Sequence, residues 1–250
     1  MRVAVAGGTG LLGRLVVAEL ERRGDAPVVL ARSRGVHLTS GAGLDDALAG
    51  ADAVIDVSNV ATTSRRRSVA FFAAATQHLL AAADRAGVGH LVALSIVGAD
   101  TVDFGYYLGK RRQEELLAAG PVPWTLLRAT QFHEFADQLV DRSPAPFVVV
   151  PRMRSRPVAA REVAAHLVEL VHGAPRGVAE PMTGPEELDM AGLVRRLLRA
   201  TGRRRLVVSL RLPGPVGAAF TSGALVPAPP FVSGTGTVDE HLARLAAARR

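Results

Sequence analysis

The sequence predicts an α/β protein: a doubly wound parallel sheet followed by a smaller C-terminal region. Two observations carry this. Short apolar runs of strand length alternate with longer segments of helical periodicity as far as about Pro144. A glycine-rich turn stands directly between the first run and the first helical segment. Strands covered by helices on both faces read as continuous apolar runs, as these do.

The elements follow in order. RVAVAG is a strand, and Leu11–Arg23 a helix with Leu11, Leu12, Leu15, Val16 and Leu20 near helical spacing. APVVLAR is a second strand, and VHLTS a short third, followed by a brief helix at Leu44–Leu48. DAVIDVS is the fourth strand, Ser68–Ala86 a long helix, and HLVALS the fifth strand. YYLGKRRQEELLAA is helical and PWTLLRAT is the sixth strand. The division falls between a core of residues 1–145 and a mixed region of residues 146–250 packed on it as one continuous domain. That second region holds strands PFVVVP and RLVVSL, helices near Arg161–Val171 and Met190–Ala200, and a closing helix in VDEHLARLAAA. Between them, Pro213–Gly236 is rich in Gly and Pro and predicts a loop or lid. Within it Phe220, Val226 and Phe231 pair with Phe132 and Phe135 as lid or core residues.

Composition narrows the class. With 250 residues and 48% hydrophobic content the chain can bury a large core. The absence of cysteine excludes disulfides and thiolate metal sites and fits a reducing compartment. No histidine spacing suggests a metal site. The opening MRVAVAGGTG is too short and too glycine-rich for a signal peptide, and no apolar run spans a bilayer, so a cytoplasmic protein without a membrane partner is expected. Net charge is +7. Aromatics are only 4% and the arginine runs are scattered, which argues against nucleic acid.

The first chemical signal is Gly7-Gly8-Thr9-Gly10-Leu11-Leu12-Gly13. Glycines here permit a tight turn and close approach of the backbone to a pyrophosphate, while the helix N-terminus supplies N–H donors. Gly7, Thr9, Gly10, Leu11, Leu12 and Gly13 are the cofactor-binding candidates. An NAD site places an acid at the end of the second strand. This chain has Arg32-Ser33-Arg34 there. Two guanidinium groups and a hydroxyl suit the 2′-phosphate of NADP(H).

The second signal is YYLGK. It contains both tyrosines and the sole lysine of the chain. Tyr106 and Lys110 are one helical turn apart on one face. A tyrosine exchanges protons near neutral pH only if its pKa falls from about 10, and a nearby ammonium does this. The compact ammonium can also hold ribose hydroxyls, which a guanidinium fork does not match.

The stretches GGTGLLG, VLARS, IDVSN, LSIVGAD, YYLGKRRQEELL, WTLLRATQFHEF and PVAAREVAAHL resemble the short-chain dehydrogenase/reductase superfamily, in its atypical NmrA-like, NAD(P)H-binding branch. The resemblance implies a Rossmann-type fold with a cleft over the C-terminal strand ends. It implies that Ser95 orients the substrate oxygen, Tyr106 is the acid/base, and Lys110 holds the ribose and lowers the tyrosine pKa. Ser58 and Asn59 then run beside the cofactor, and Ala129, Thr130, Gln131 and Phe132 pass near the nicotinamide. Tyr107, Phe132, His133 and Phe135 are candidate substrate contacts. SGAGLDD lacks the family's usual aspartate, and the compressed Ser95–Tyr106 spacing leaves Tyr107 as an alternative to face the cleft. The expected activity is NADP(H)-dependent reduction of a small, mostly apolar carbonyl, enone or quinone-like substrate by a monomer or homodimer. A non-catalytic NADP(H)-responsive regulator and a nucleotide-sugar epimerase or dehydratase relative are the alternatives.

Overall fold

Val3–Ala6 of Arg2–Ala6 (β1) and Ala53–Ile55 of Ala53–Asp56 (β3) are apolar and buried at every position, so both strands lie in the middle of a sheet. The computed structural model describes residues 1–248. Its first half runs β1, α1 (Leu11–Arg22), β2 (Ala26–Leu30), α2 (Leu44–Leu48), β3, α3 (Arg65–Arg85), β4 (His90–Ile96), α4 (Gly105–Ala118) and β5 (Trp124–Ala129). Next come α5 (Phe135–Arg142), β6 (Phe147–Pro151), β7 (Arg154–Ser155), α6 (Ala160–His172), β8 (Gly177–Val178), β9 (Met182–Thr183) and β10 (Leu188–Asp189). The chain closes with α7 (Met190–Ala200), β11 (Leu206–Leu210), α8 (Gly214–Ser222), β12 (Val232–Ser233) and α9 (Val238–Ala247).

Among the described residues the main sheet has eight strands in the order β12-β9-β5-β4-β3-β1-β2, with β8 also on β5. Its pairings are parallel. Parallel neighbours need crossovers, which the helices supply on both faces. One face buries Leu12, Val16 and Leu20 of α1 against Val163 and Leu167 of α6. The other buries Leu44, Leu79 and Leu117 of α2, α3 and α4. A third apolar cluster joins α5, α7 and α9 to β6 and reaches Tyr107 and Phe220. This is the doubly wound, Rossmann-type α/β fold expected from the sequence.

Four expectations change. VHLTS is a turn, not a strand: His37 N–H bonds Ala42 O and Gly41 N–H bonds His37 O, between left-handed glycines at 35, 41 and 43. Helix α5 was not foreseen in extent. Pro213–Gly236 is not one loop, because it holds α8 and β12, and Phe220 is buried in the third cluster. Lastly, β8, β9 and β12 join the main sheet and α6 packs on its face, so the sheet continues past residue 145 and only the other late elements form the layer over it.

Gly13 shows how tightly the first crossover is wound. A Cβ there would lie 2.1 Å from Gly7 O and 2.6 Å from Gly8 Cα. Alanine gains about 1 kcal/mol of helix propensity over glycine. Overpacking against fixed backbone costs about 1–3 kcal/mol or more and dominates. Gly13→Ala therefore lowers the urea midpoint of unfolding; an equal or higher midpoint would mean that the turn opens without cost.

Candidate active site

The site lies at the C-terminal ends of the strands, where an open α/β sheet leaves a crevice. Gly7 follows β1 with φ +79, and a Cβ there would meet Ser58 Cα and Val57 O at 2.9 Å. The turn thus presses against the end of β3. Gly10 N–H bonds Gly7 O at 2.9 Å. Gly10 is the N-cap of α1 and has no side chain to cap it, so no capping side chain occupies the first-turn N–H groups. Thr9 and Leu11 are exposed on this turn, while Leu12 anchors it in the core. Arg32, Ser33 and Arg34 form an exposed 3-10 turn at the end of β2, the neighbour of β1.

Beyond β3, Ser58 is buried and its Oγ has no partner within the protein. Asn59 is exposed, and its Oδ1 accepts the Tyr106 hydroxyl at 3.0 Å. Helix α4 delivers that tyrosine because two glycines let it lie close to α3. A Cβ at Gly105 would be 2.0 Å from Thr63 O, and one at Gly109 would be 2.0 Å from Ser68 Oγ. Tyr106 is half-buried, and its ring meets Phe72 edge-on with centroids 5.9 Å apart. Tyr107 turns the other way, is buried in the third cluster, and its hydroxyl accepts from Gln131 at 3.3 Å.

Lys110 is buried. Its Nζ donates to Leu94 O and to Gln113 Oε1, both at 2.9 Å, and sits 4.3 Å from the centre of the Phe72 ring. Gln113 Nε2 then donates to Asp56 Oδ2 at 2.8 Å, and Asp56 Oδ1 accepts the Ser58 N–H at 2.9 Å. Burial pulls the ammonium down to about 8, against the favourable charges of Asp56 and Glu114. Burial, with Tyr107 beside it, raises the Tyr106 phenol above its usual value. In this structure two of the ammonium's donors go to Leu94 and Gln113, with the Phe72 face beside it, and burial dominates the state of the phenol.

Ser95 also departs from expectation. Its Oγ donates to Glu114 Oε1 at 2.5 Å, and Glu114 is held by Arg128 at 2.6 Å. Glu114 stands two helical turns beyond Tyr106, about 12 Å along α4. Ser95 is thus tied into a partly buried ion-pair group further along α4 than the first turn, which carries Tyr106. In the loop after β5, Ala129 ends the strand and the Thr130 hydroxyl bonds Arg156 O at 2.5 Å. Gln131 Oε1 accepts from Ser155, and Phe132 bridges to Val158. Phe135 packs on the third cluster. His133 is buried with Nε2 at 3.2 Å from Pro157 O, and burial, aided by His241, pushes it down to about 4. A neutral, enclosed imidazole is a poor match for the substrate contact expected of it.

The sequence reading missed Asp56, Gln113, Glu114 and Phe72. One signal was available: Asp56 is an acid inside an otherwise apolar strand. Gln113, three residues after Lys110, has no signature apart from its neighbour.

The Lys110 shift gives a test of sign. A lysine with a folded pKa near 8 and an unfolded value near 10.5 releases its proton earlier in the native state. The unfolded chain binds more protons between those values, so stability rises with pH across that window. The raised tyrosines act in the opposite sense above about pH 10. From pH ~8 to ~10 the protein should gain up to ~3 kcal/mol relative to Lys110→Met. Parallel pH–stability curves from denaturant titrations would show instead that the ammonium is solvated.

Residues 7–173 match the family described as NAD(P)H-binding. The (4-alkanoyl-5-oxo-2,5-dihydrofuran-3-yl)methyl phosphate reductase of Streptomyces griseus is 30% identical, over 89% of this chain and 86% of that protein. Similar solved structures include the NADPH complex of an Escherichia coli NADPH-dependent quinone oxidoreductase (TM-score 0.72, 19% identity, 97% of this chain and 99% of that one). A second is Citrobacter sp. triphenylmethane reductase with NADP(H) (TM-score 0.72, 16% identity, 98% and 100%). A third, from Agrobacterium tumefaciens, is a short-chain dehydrogenase/reductase superfamily protein with bound NAD (TM-score 0.72, 21% identity, 100% and 97%). The chain belongs to the NAD(P)H-binding family, and it shares its fold with structures of the short-chain dehydrogenase/reductase type that its motifs resemble.

Proposed function

We propose that the protein is an NADPH-dependent oxidoreductase reducing a small, mostly apolar carbonyl, enone or quinone-like compound, with Tyr106 as its proton donor. The observation that carries this reading is the Tyr106 hydroxyl on Asn59, at the strand end against which the glycine turn is pressed. Three features fit a dinucleotide. The Gly7–Gly13 turn is wound so tightly that a Cβ at Gly7, Gly8 or Gly13 would meet the protein's own atoms at 2.9 Å or less, the first turn of α1 is uncapped, and Ser58 Oγ is a buried hydroxyl without a partner. Gly7, Thr9, Gly10, Leu11, Leu12 and Gly13 would hold the pyrophosphate, Arg32, Ser33 and Arg34 the 2′-phosphate, and Ser58, Asn59 and the Ala129–Phe132 loop the remainder. Bound there, NADPH supplies a hydride.

The chain's own part is the proton. A phenol raised by burial is fully protonated at neutral pH, so Tyr106 begins as a donor. Its O–H bond breaks as an O–H or C–H bond forms on the reduced substrate, and the tyrosinate regains its proton from solvent. Asn59 Oδ1 aims the hydroxyl. Lys110 keeps one N–H unused beyond Leu94 and Gln113; to hold the nicotinamide ribose it must swing that N–H toward the cleft. The relative from Streptomyces griseus supports an enone: its named compound carries a ring double bond conjugated to two carbonyl groups. The quinone oxidoreductase and the triphenylmethane reductase support a planar apolar acceptor.

The engaged states of Ser95 and Lys110 favour a second reading, an NADP(H)-binding regulator without turnover. Two measurements separate the readings. By fluorescence titration NADPH binds at least ~10-fold more tightly than NADH, because a charge-assisted bond to the 2′-phosphate is worth roughly 1.5–3 kcal/mol. Arg32→Ala narrows the gap, and equal dissociation constants in the parent protein would remove the NADP preference. NADPH oxidation is then followed across enones, quinones and ketones. Tyr106→Phe should cut turnover about 100-fold, the usual contribution of a general acid, with NADPH affinity kept. Binding of NADPH with no oxidation against any acceptor leaves the regulator.

A further inference from the structure

The ribbon of β6 and β11 breaks the rule that an open strand face is polar. The two strands pair only with each other, in parallel, with Phe147 beside Leu206, Val149 beside Val208 and Pro151 beside Leu210. Their inner face, Val148, Val150 and Val207, packs into the third cluster with Tyr107 and Phe220. Alternation then sends the other set outward. A solvated face should carry polar residues. Here the outward residues are apolar and uncovered: Phe147 is 45% exposed, Val149 43%, Leu206 62%, Val208 37% and Leu210 48%.

Exposed arginines bracket both strands in sequence: Arg142 and Arg204 precede β6 and β11, and Arg152 and Arg211 follow them directly. None of them makes a side-chain ion pair among the described residues. Asp141, next to Arg142, is paired with Arg203 at 2.9 Å, and Glu187 with Arg154, two residues from Arg152.

Area and charge together select the occupant. The five exposed side chains present roughly 400 Å² of apolar surface, inside the range of patches that mark interaction sites. A stable dimer buries ~800 Å² per partner, apolar and polar together, so these five side chains alone do not supply one. Packing two copies face to face would also bring the arginine-flanked ends of both ribbons together, which like charge opposes. An anionic lipid surface needs no second protein face, takes apolar side chains into its interfacial layer, and attracts each arginine.

We propose that the outer face of the β6–β11 ribbon docks the protein on anionic lipid, resting on the bilayer without crossing it. No helix among the described residues is long and apolar enough to cross a membrane. It would sit one layer from Tyr107, the neighbour of Tyr106, and so near the source of an apolar substrate.

The test is co-sedimentation of the full chain with vesicles of phosphatidylcholine alone, or with phosphatidylglycerol as about a third of the lipid. Binding is expected only with phosphatidylglycerol, weakening strongly between about 0.1 M and 1 M salt as charges are screened. Leu206→Ser with Val208→Ser should lower the partition coefficient at least ~10-fold, as should Arg204→Gln with Arg211→Gln, since each basic residue near such a surface contributes about 1 kcal/mol. The arginine pair is exposed and lies outside the packed core, so it keeps the test decisive if the serine pair unfolds. Absence of binding to phosphatidylglycerol vesicles, or binding unchanged in both pairs, overturns the proposal. So does sedimentation equilibrium showing a dimer that Leu206→Ser with Val208→Ser dissociates, which assigns the face to a second copy.

Discussion

Helices α3 and α4 lie so close that two positions of α4 can carry no side chain. At Gly109 a Cβ would fall 2.8 Å from the Phe72 ring as well as on Ser68 Oγ. Everything proposed for the site depends on this contact. It lowers α4 onto the end of β3, so that Tyr106 reaches Asn59, and it places Phe72 under both Tyr106 and Lys110. Backbone-to-backbone proximity of this kind is rigid, which suits a proton donor that must hold its position within a fraction of an ångström. A methyl group at either glycine would lift the helix and separate the tyrosine from the strand end in one movement.

Closeness has an electrostatic consequence. The same packing that positions Tyr106 seals Lys110 from water, and a buried ammonium is costly unless it is paired and hydrogen-bonded. The structure answers with a backbone carbonyl, an amide and an aromatic face in direct contact, and a carboxylate one residue further away. Asp56 does not touch Lys110; Gln113 stands between them and orients toward both. The charge is therefore compensated incompletely, and the ammonium is left easier to deprotonate than a surface lysine. Because Asp56 also holds the Ser58 N–H, the network joins the helix that carries Tyr106 to the strand end beside the glycine turn. A change at Gln113 would be felt at both.

What the sequence made legible were features with a local cause. Alternating apolar runs define a parallel sheet because strands buried on both faces have no polar side, and the glycine turn is readable because the residues it needs are contiguous. Tyr106 and Lys110 could be paired from helical spacing alone. Orientation was not legible. Ser95 sits on a strand whose face is set by pairing, and its partner Glu114 comes from a helix 19 residues later, so nothing near Ser95 announces an ion pair. His133 looked like a cleft residue from its place after β5, yet its environment is made by Pro157 and His241, both remote in sequence. VHLTS reads as a strand by composition, but glycines on either side of it wind the chain into turns before a strand can pair. The outer face of the β6–β11 ribbon was equally hidden, because a run such as FVVVP predicts burial on both sides.

The lone lysine gains a second explanation from its surroundings. Its slot is bounded by an aromatic ring 4.3 Å from the nitrogen, a strand carbonyl and a fully buried amide. A guanidinium has five donors in a fixed plane; here it would find two acceptors, leave other N–H groups unsatisfied, and press on Phe72. A chain that otherwise uses arginine for positive charge would need lysine at this place for packing alone, before any ribose is considered. The two accounts are compatible, since a small, mobile ammonium that can share its donors between protein and ligand satisfies both. They differ in what the arginine substitution damages. Packing alone makes Lys110→Arg a stability defect, whereas a ribose contact makes it also a defect of cofactor geometry.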